Sequence, residues 1–330
     1  MREVALAKLR CPASGEPLVA DGDELATPSG KHRYALHAGA IPLLADEWLS
    51  PAALRQREHY DALAPLYLAN LRAPHTQAYS AYLDRVLLGA LGPGCLGDVA
   101  EICCGQADAL ALVADRVGVG IGVDVSPVML EAAAARLPGM TFAQGDATRL
   151  PLADASFDCV LMSGGVHHVG DRRGLFREIA RVLRPGGRFV FREPLDDFAL
   201  WRWLRRAIYR LSPALDAETE RPLRWVETAP PLREAGLALE LWRPCALLGF
   251  CLFMNGDVLV ANRAFAYLPG IAALVRASAR LDEWLLRLPG VARAGLQVVA
   301  SARKGPGRAV AADGFPRARA LSPRGARAPG

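Results

Sequence analysis

The sequence predicts an α/β fold: a doubly wound, mainly parallel sheet with a small β-rich segment in front and helical insertions behind. Three observations carry that prediction. From Gly97 onward, short apolar runs alternate strictly with helical stretches, the pattern of parallel strands joined by crossover helices. Two successive apolar runs end in an acid, Glu101 and Asp124, and a third, Thr141–Gln144, is followed by Gly145-Asp146. The turn after the first run, Cys103-Cys104-Gly105-Gln106-Ala107, has small side chains at alternate positions, which lets backbone approach a ligand closely.

The elements follow in order. Residues 1–48 read as a small separate unit, because LRCPASGEPLVADGDELATPSGKHRYALHAGAIPLL breaks into short strand-like runs at Gly, Pro and Asp. From Glu47 to about Gly92, apolar and aromatic residues recur at helical spacing, with Pro65 and Pro74 expected to break the run. Packing against the sheet is the first expectation for this region. A lid carrying His59, Tyr60 and Tyr67 is the alternative. The alternation then predicts strand Asp98–Glu101, helix Ala107–Arg116, strand Gly120–Asp124 and helix Val128–Leu137. Ser126-Pro127 opens that last helix with a good N-cap and a proline suited to the first helical position. Strand Thr141–Gln144, strand Cys159–Ser163, helix Gly174–Leu183 and strand Arg188–Arg192 come next, with Arg184-Pro-Gly-Gly187 as a helix stop and turn. Beyond Glu193 the pattern loosens. An amphipathic helix spans Phe198–Arg210, TAPPLREAGL is a short helix, LALELWRPCALLGF a strand, Asn262–Pro289 an inserted helical pair and LQVVASARK a seventh strand. This gives a main domain over 49–305, with a helical cap at about 196–290. The tail 306–330, rich in Gly, Pro, Ala and Arg, is expected to be disordered.

Charge and cysteine content narrow the function classes. The net charge is +5, but five arginines against one aspartate in the tail supply +4 of it. The body therefore carries no basic footprint for nucleic acid. Seven cysteines are scattered without a CxxC pair, which fits reduced thiols in a cytosol. The N-terminal residues lack the long apolar core of a signal peptide. The greasiest stretch, Cys245–Met254, is too short to span a bilayer, so the expected location is cytoplasmic.

The acids at the strand ends define the ligand. A carboxylate after the second strand suits a ribose diol, and Asp146 can accept from an adenine amino group. Glu101 suits something amine-bearing. A pyrophosphate is disfavoured, because the turn lacks GxGxxG and places an acid where phosphate would be repelled.

The run Glu101-x-Cys-x-Gly-x-Ala, the acid-tipped GVDVSPVML, the segment QGDATRLPLADASFD, and VHHV followed by REIARVLRPGGRFVFREP together resemble the class I S-adenosylmethionine-dependent methyltransferases, type 11 group. The resemblance implies a seven-stranded Rossmann-like sheet and S-adenosyl-L-methionine as cofactor. It implies that Glu101, Cys103, Gly105 and Ala107 hold the methionine part, Asp124 the ribose, and Asp146 the adenine, with Val125 and Ala147 lining the base and Ser163 also at the cofactor. Cys103 and Ala107 stand where the family more often has glycine. Residues 1–48 resemble a degenerate zinc-ribbon leader of the Trm112 type, through Cys11-Pro12, Tyr34 and Gly39-Ala-Ile-Pro-Leu-Leu. Only Cys11 remains of a ligand set, and Ser14 stands where a second would be, so no metal is expected.

Methyl transfer is an in-line displacement, for which alignment and desolvation supply much of the rate and a base is optional. His167 and His168 follow the fourth strand at the mouth of the site and are the candidate catalytic residues, one of them as proton acceptor. A loop-shaping role is the alternative for both. Glu193 is expected to order the loop or bind substrate. The acceptor is expected to be a small molecule or a lipid-linked intermediate, since 196–290 is rich in Trp, Leu, Phe and Arg. A weak membrane-surface contact through Phe198–Arg210 stays open beside packing as a helical cap. Two other functions remain: a non-catalytic partner that retains the cofactor, and a nicotinamide-dependent oxidoreductase.

Overall fold

A computed structural model describes residues 3–38, 40–45, 48–203, 221–254 and 260–305. The alternation of the middle of the chain becomes a seven-stranded sheet, in the order Leu237–Cys245, Gln297–Lys304, Leu183–Pro194, Phe157–Ser163, Gly97–Ile102, Val117–Asp124, Thr141–Gln144. Its strands are β5 (Gly97–Ile102), β6 (Val117–Asp124), β7 (Thr141–Gln144), β8 (Phe157–Ser163), β9 (Leu183–Pro194), β10 (Leu237–Cys245) and β11 (Gln297–Lys304). β5 to β9 are parallel, and β11 runs against both β9 and β10. The strand order reverses around β5, with β6 on one side and β8 on the other. That switch point is where an open α/β sheet leaves a crevice at its carboxyl edge.

Most expected boundaries fall within a few residues of the observed ones, and the departures have local causes. Helix α2 (Pro51–Leu71) continues through Pro65, and the break comes before Pro74, the first residue of α3 (Pro74–Leu91). The expected helix over Ala107–Arg116 divides into α4 (Asp108–Leu112) and a 3-10 turn at Ala114–Arg116. Helix α5 (Pro127–Arg136) starts as Ser126-Pro127 predicts: Ser126 Oγ accepts the Met129 N–H at 3.1 Å. Arg184-Pro-Gly-Gly187 follows α6 (Arg172–Val182) but lies inside β9, as an irregularity in its pairing with β8 rather than a connecting turn. After α7 (Trp225–Glu234), the expected strand LALELWRPCALLGF stops at Cys245 and turns into α8 (Leu248–Phe253). A 3-10 segment over Val260–Tyr267 and α9 (Ile271–Leu285) form the inserted pair. The expected helix from Phe198 is described only as far as Trp203; its remainder, the tail from 306 and the Tyr67 side chain lie outside the described residues.

The N-terminal segment forms α1 (Glu3–Leu6) and a four-stranded antiparallel sheet, β1 (Val19–Asp21), β2 (Glu24–Ala26), β3 (Arg33–His37) and β4 (Ile41–Pro42). It shares a core with the large sheet, since Leu9, Leu25 and Leu44 are buried in one cluster with Leu150, Leu152 and Phe157. Isolated bridges join Leu43 to Gln144 and Leu9 to Leu152. Lys8 Nζ donates to Asp98 Oδ2 at 2.9 Å and to the Ser156 carbonyl at 2.8 Å. The Cys11 sulfur lies 2.9 Å from the Tyr34 hydroxyl and accepts the Ser14 N–H at 3.3 Å. Among the described residues no group of three or more His, Cys, Asp or Glu is placed to hold a metal.

Candidate active site at the carboxyl edge of the sheet

A cavity of about 530 Å³ opens at the carboxyl ends of β5, β6, β7 and β8, within the size range of small-molecule sites. Of the expected cofactor residues, Glu101, Cys103, Gly105, Asp124, Val125, Asp146, Ala147 and Ser163 line it. Ala107 does not. It is buried in the core behind the wall, where its left-handed backbone (φ +61°) forms the N-cap of α4.

The turn after β5 is held by carboxylates. Cys103 and Gly105, like Ala107, have φ near +50 to +60°, a conformation that costs non-glycine residues about 1–2 kcal/mol each. The two residues that stand in place of the family's glycines thus occupy backbone suited to glycine. Glu101, at the end of β5, spans the first turn of α4: its Oε1 accepts the Ala109 N–H at 3.1 Å and its Oε2 the Leu110 N–H at 2.7 Å. Burial dominates over these bonds and pushes its pKa up to about 8. Asp124 Oδ2 accepts the Gly105 N–H at 2.8 Å and Oδ1 the Ser126 N–H at 3.0 Å, tying the two loops together across β5 and β6. Burial raises its pKa as well. Desolvation, followed by the negative charge of Asp124, Glu193 and Asp146, raises the Cys103 thiol well above its ordinary value, so it is held as a neutral S–H.

Asp146 joins the site to α2. Its Oδ2 accepts from the Ser50 hydroxyl at 2.8 Å and the Ser50 N–H at 3.1 Å, while Oδ1 accepts from the Thr148 hydroxyl and N–H at 2.7 and 2.8 Å. Ser50 precedes α2, and its Oγ also accepts the Ala53 N–H at 3.2 Å. Farther along α2, Asp61 accepts a hydrogen bond from Ser126 Oγ. The helix therefore lies over the cavity, lining it with Pro51, Ala52, Ala53, Arg55, Gln56 and Tyr60.

The two histidines part company in the 3-10 turn Val166–His168 after β8. His167 does not line the cavity. Its Nδ1 lies 2.8 Å from Oε2 of Glu193, which is fully buried at the end of β9. Glu193 also accepts the N–H groups of Gly165 and Val166 at 2.8 and 2.9 Å, so it orders the loop. His168 faces the cavity, with Nε2 2.8 Å from the Tyr60 hydroxyl and its ring centroid 3.8 Å from that of His167. Sequence reasoning missed Ser50 and Thr148. Ser50-Pro51 carries the same helix-start signal as Ser126-Pro127, but nothing local indicates that the helix it opens folds over the strand ends.

The donor set selects the ligand. Among the described residues, five acids line the cavity (Glu101, Asp108, Asp124, Asp146, Asp171) against one arginine, Arg55. Asp108 is paired with Arg136 and Asp171 caps α6, whereas Glu101, Asp124 and Asp146 are held by backbone N–H groups and hydroxyls. Such a wall favours a cationic ligand rich in hydroxyl and amino donors and repels phosphate. S-adenosylmethionine, with a sulfonium, an ammonium, a ribose diol and an adenine, fits it.

The family model described as "Methyltransferase domain" matches residues 100–191. A demethylmenaquinone methyltransferase of Mycolicibacterium paratuberculosis is 40% identical over 146 residues, covering 42% of this chain and 62% of that protein. An uncharacterized 37.1 kDa protein in transposon TN4556 of Streptomyces fradiae is 32% identical over 199 residues, covering 58% of this chain and 54% of that protein. The chain thus spans about half to three-fifths of the length of these relatives. Among solved structures, the [4+2]-cyclase SpnF superposes with a TM-score of 0.53 at 21% identity, covering 81% of this chain and all of that one. A SAM-dependent methyltransferase of Thermotoga maritima, described as a possible histamine N-methyltransferase, gives 0.51 at 20% identity over 75% of this chain and 99% of that one. At these identities the two structures establish the fold.

Proposed function

We propose that this chain is a class I S-adenosylmethionine-dependent methyltransferase, its residues 100–191 matching a methyltransferase-domain model, and that it transfers the cofactor's methyl group to a small-molecule or lipid-linked acceptor. The observation that carries the proposal is the cavity wall: three acids from three adjacent strand ends, Glu101, Asp124 and Asp146, line it, with Arg55 the one arginine among the described lining residues. When bound, S-adenosylmethionine supplies an electrophilic methyl group on a positively charged sulfur. Asp124 would exchange backbone N–H partners for ribose hydroxyls, and Glu101 would face the ammonium group. α2 contributes Pro51, Ala53 and Tyr60 to the lining, and a bound cofactor that displaces water there would feel the acids more strongly. The Tyr60–His168 pair stands on the same wall and would take up the proton that an O–H or N–H acceptor gives off. Glu193 holds His167 and the loop under that pair. Since demethylmenaquinone methyltransferases are among the relatives, a demethylmenaquinone is the first acceptor to assay.

Calorimetric titration with S-adenosylmethionine, S-adenosylhomocysteine and NADH tests the first half of the reading: the two adenosyl compounds bind and NADH does not. Absence of heat from both on folded protein would remove the proposal. Release of S-adenosylhomocysteine in the presence of acceptor tests the second half, and separates a working enzyme from a protein that only retains the cofactor. Tyr60→Phe and His168→Ala should slow turnover while leaving S-adenosylhomocysteine affinity within about threefold. A large loss of affinity in His168→Ala would move His168 to the cofactor side.

A further inference from the structure

The outer face of α9 has a composition that the active site does not explain. Ile271, Val275, Ala279 and Asp282 are buried beneath the helix. On the opposite side Leu274, Leu281 and Trp284 are 55%, 48% and 56% exposed. With exposed Ala277 they fall within an arc of about 80° at 3.6 residues per turn. Exposed Arg276 and Arg280 lie along one edge of that ridge, and exposed Arg287 follows in the turn after the helix. No exposed acid answers them on the helix: Asp282 is fully buried, and Glu283 reaches Arg243 at 3.3 Å. Just before α9, Tyr267 at the end of the 3-10 segment and Leu268 are also exposed, at 87% and 48%.

We propose that this face rests on an anionic phospholipid surface. A tryptophan and leucines on the outward pole with arginines along one flank is the arrangement of a helix lying in a membrane interface. The arginine stems can lie along the apolar ridge while their guanidinium groups meet lipid phosphates. A second copy of the chain is a poor occupant, since two such faces would oppose their arginine rows with no carboxylate between them. This contact would form whether or not the protein transfers a methyl group.

The test is co-sedimentation of the full chain with vesicles of phosphatidylcholine alone and of phosphatidylcholine mixed equally with phosphatidylglycerol. Binding is expected to the mixed vesicles only, and to fall as salt is raised. Two variants, Arg276→Gln/Arg280→Gln/Arg287→Gln and Leu281→Ser/Trp284→Ser, should each lower the bound fraction about tenfold. All five side chains are exposed, so both variants should keep the parent's circular dichroism spectrum and S-adenosylhomocysteine affinity. Failure of the parent to bind overturns the proposal. So does undiminished binding by both variants, which would place the contact elsewhere on the chain. A parent dimer in light scattering that Leu281→Ser/Trp284→Ser dissociates, without vesicle binding, would assign the face to a second copy.

Discussion

Glu101 shows how a single buried carboxylate links protonation to ligand binding. Its pKa of about 8 lies above that of an ordinary glutamate, 4.5, so the folded protein holds it mostly protonated near neutrality. The folded state then binds more protons than the unfolded chain between about pH 4.5 and 8, and Glu101's contribution to stability falls as pH rises through that window. A cationic ligand brought against the group reverses its preference and favours the ionised form. Cofactor binding at pH 7 is therefore expected to release a proton from this site. Titrations in buffers of different ionisation enthalpy should show that release, and Glu101→Gln should abolish it. Asp124 makes a separate case. Asp124→Ala should weaken S-adenosylhomocysteine binding at least about tenfold, matching the 1.5–3 kcal/mol of a hydrogen bond to a charged group. Because Asp124 also accepts the N–H groups of Gly105 and Ser126, the same change should lower stability by about 1–3 kcal/mol. Urea unfolding beside calorimetry separates the two losses, and unchanged affinity would take Asp124 out of the site.

At the scale of elements, a second buried acid shapes the helical insertion. Asp282 on α9 accepts the N–H groups of Leu247, Leu248 and Gly249 at 3.0 to 3.3 Å and the Tyr79 hydroxyl of α3 at 2.8 Å. It caps α8 and clamps α9 to α3 in one contact set. Asp282→Ala should cost about 3 kcal/mol or more, because four donors, three of them buried, lose their partner, whereas Tyr79→Phe should cost only about 0.5–1.5 kcal/mol. Neither should change cofactor affinity, since neither residue lines the cavity. This network also explains what sequence could and could not reveal. Strands β5 to β8 and α5 were legible, because alternation, Ser126-Pro127 and the strand-end acids are local signals. The end of β10 at Cys245 was not, because the helix that follows is capped by an aspartate 37 residues downstream. The acids of the site were legible for the same reason as the strands. Ser50, Thr148 and the division of labour between His167 and His168 depend on where α2 and Glu193 arrive in space, and no local pattern encodes that.

At the scale of the whole molecule, the question is whether the N-terminal segment stands alone. Leu9, Leu25 and Leu44 are each 2% exposed or less and lie in the same apolar cluster as Leu150, Leu152 and Phe157 of the large domain. Burying a leucine fully is worth about 1.5–3 kcal/mol, so three approach the 5–15 kcal/mol that holds a whole domain together. Removal would also strip Asp98 of Lys8 and the β7 edge of Leu43, and would uncover the apolar side of Leu152. Ala45 goes on to donate its N–H to the buried Gln144 side chain, which in turn donates to the Val125 carbonyl beside the cavity. The segment is thus continuous with the wall expected to hold the adenine. A chain lacking residues 1–45 should lose the single cooperative unfolding transition of the full protein and with it S-adenosylhomocysteine binding, as read by thermal circular dichroism and calorimetry. If the shortened chain instead melts cooperatively and binds with parental affinity, the small sheet is an appendage and the shared core contributes little.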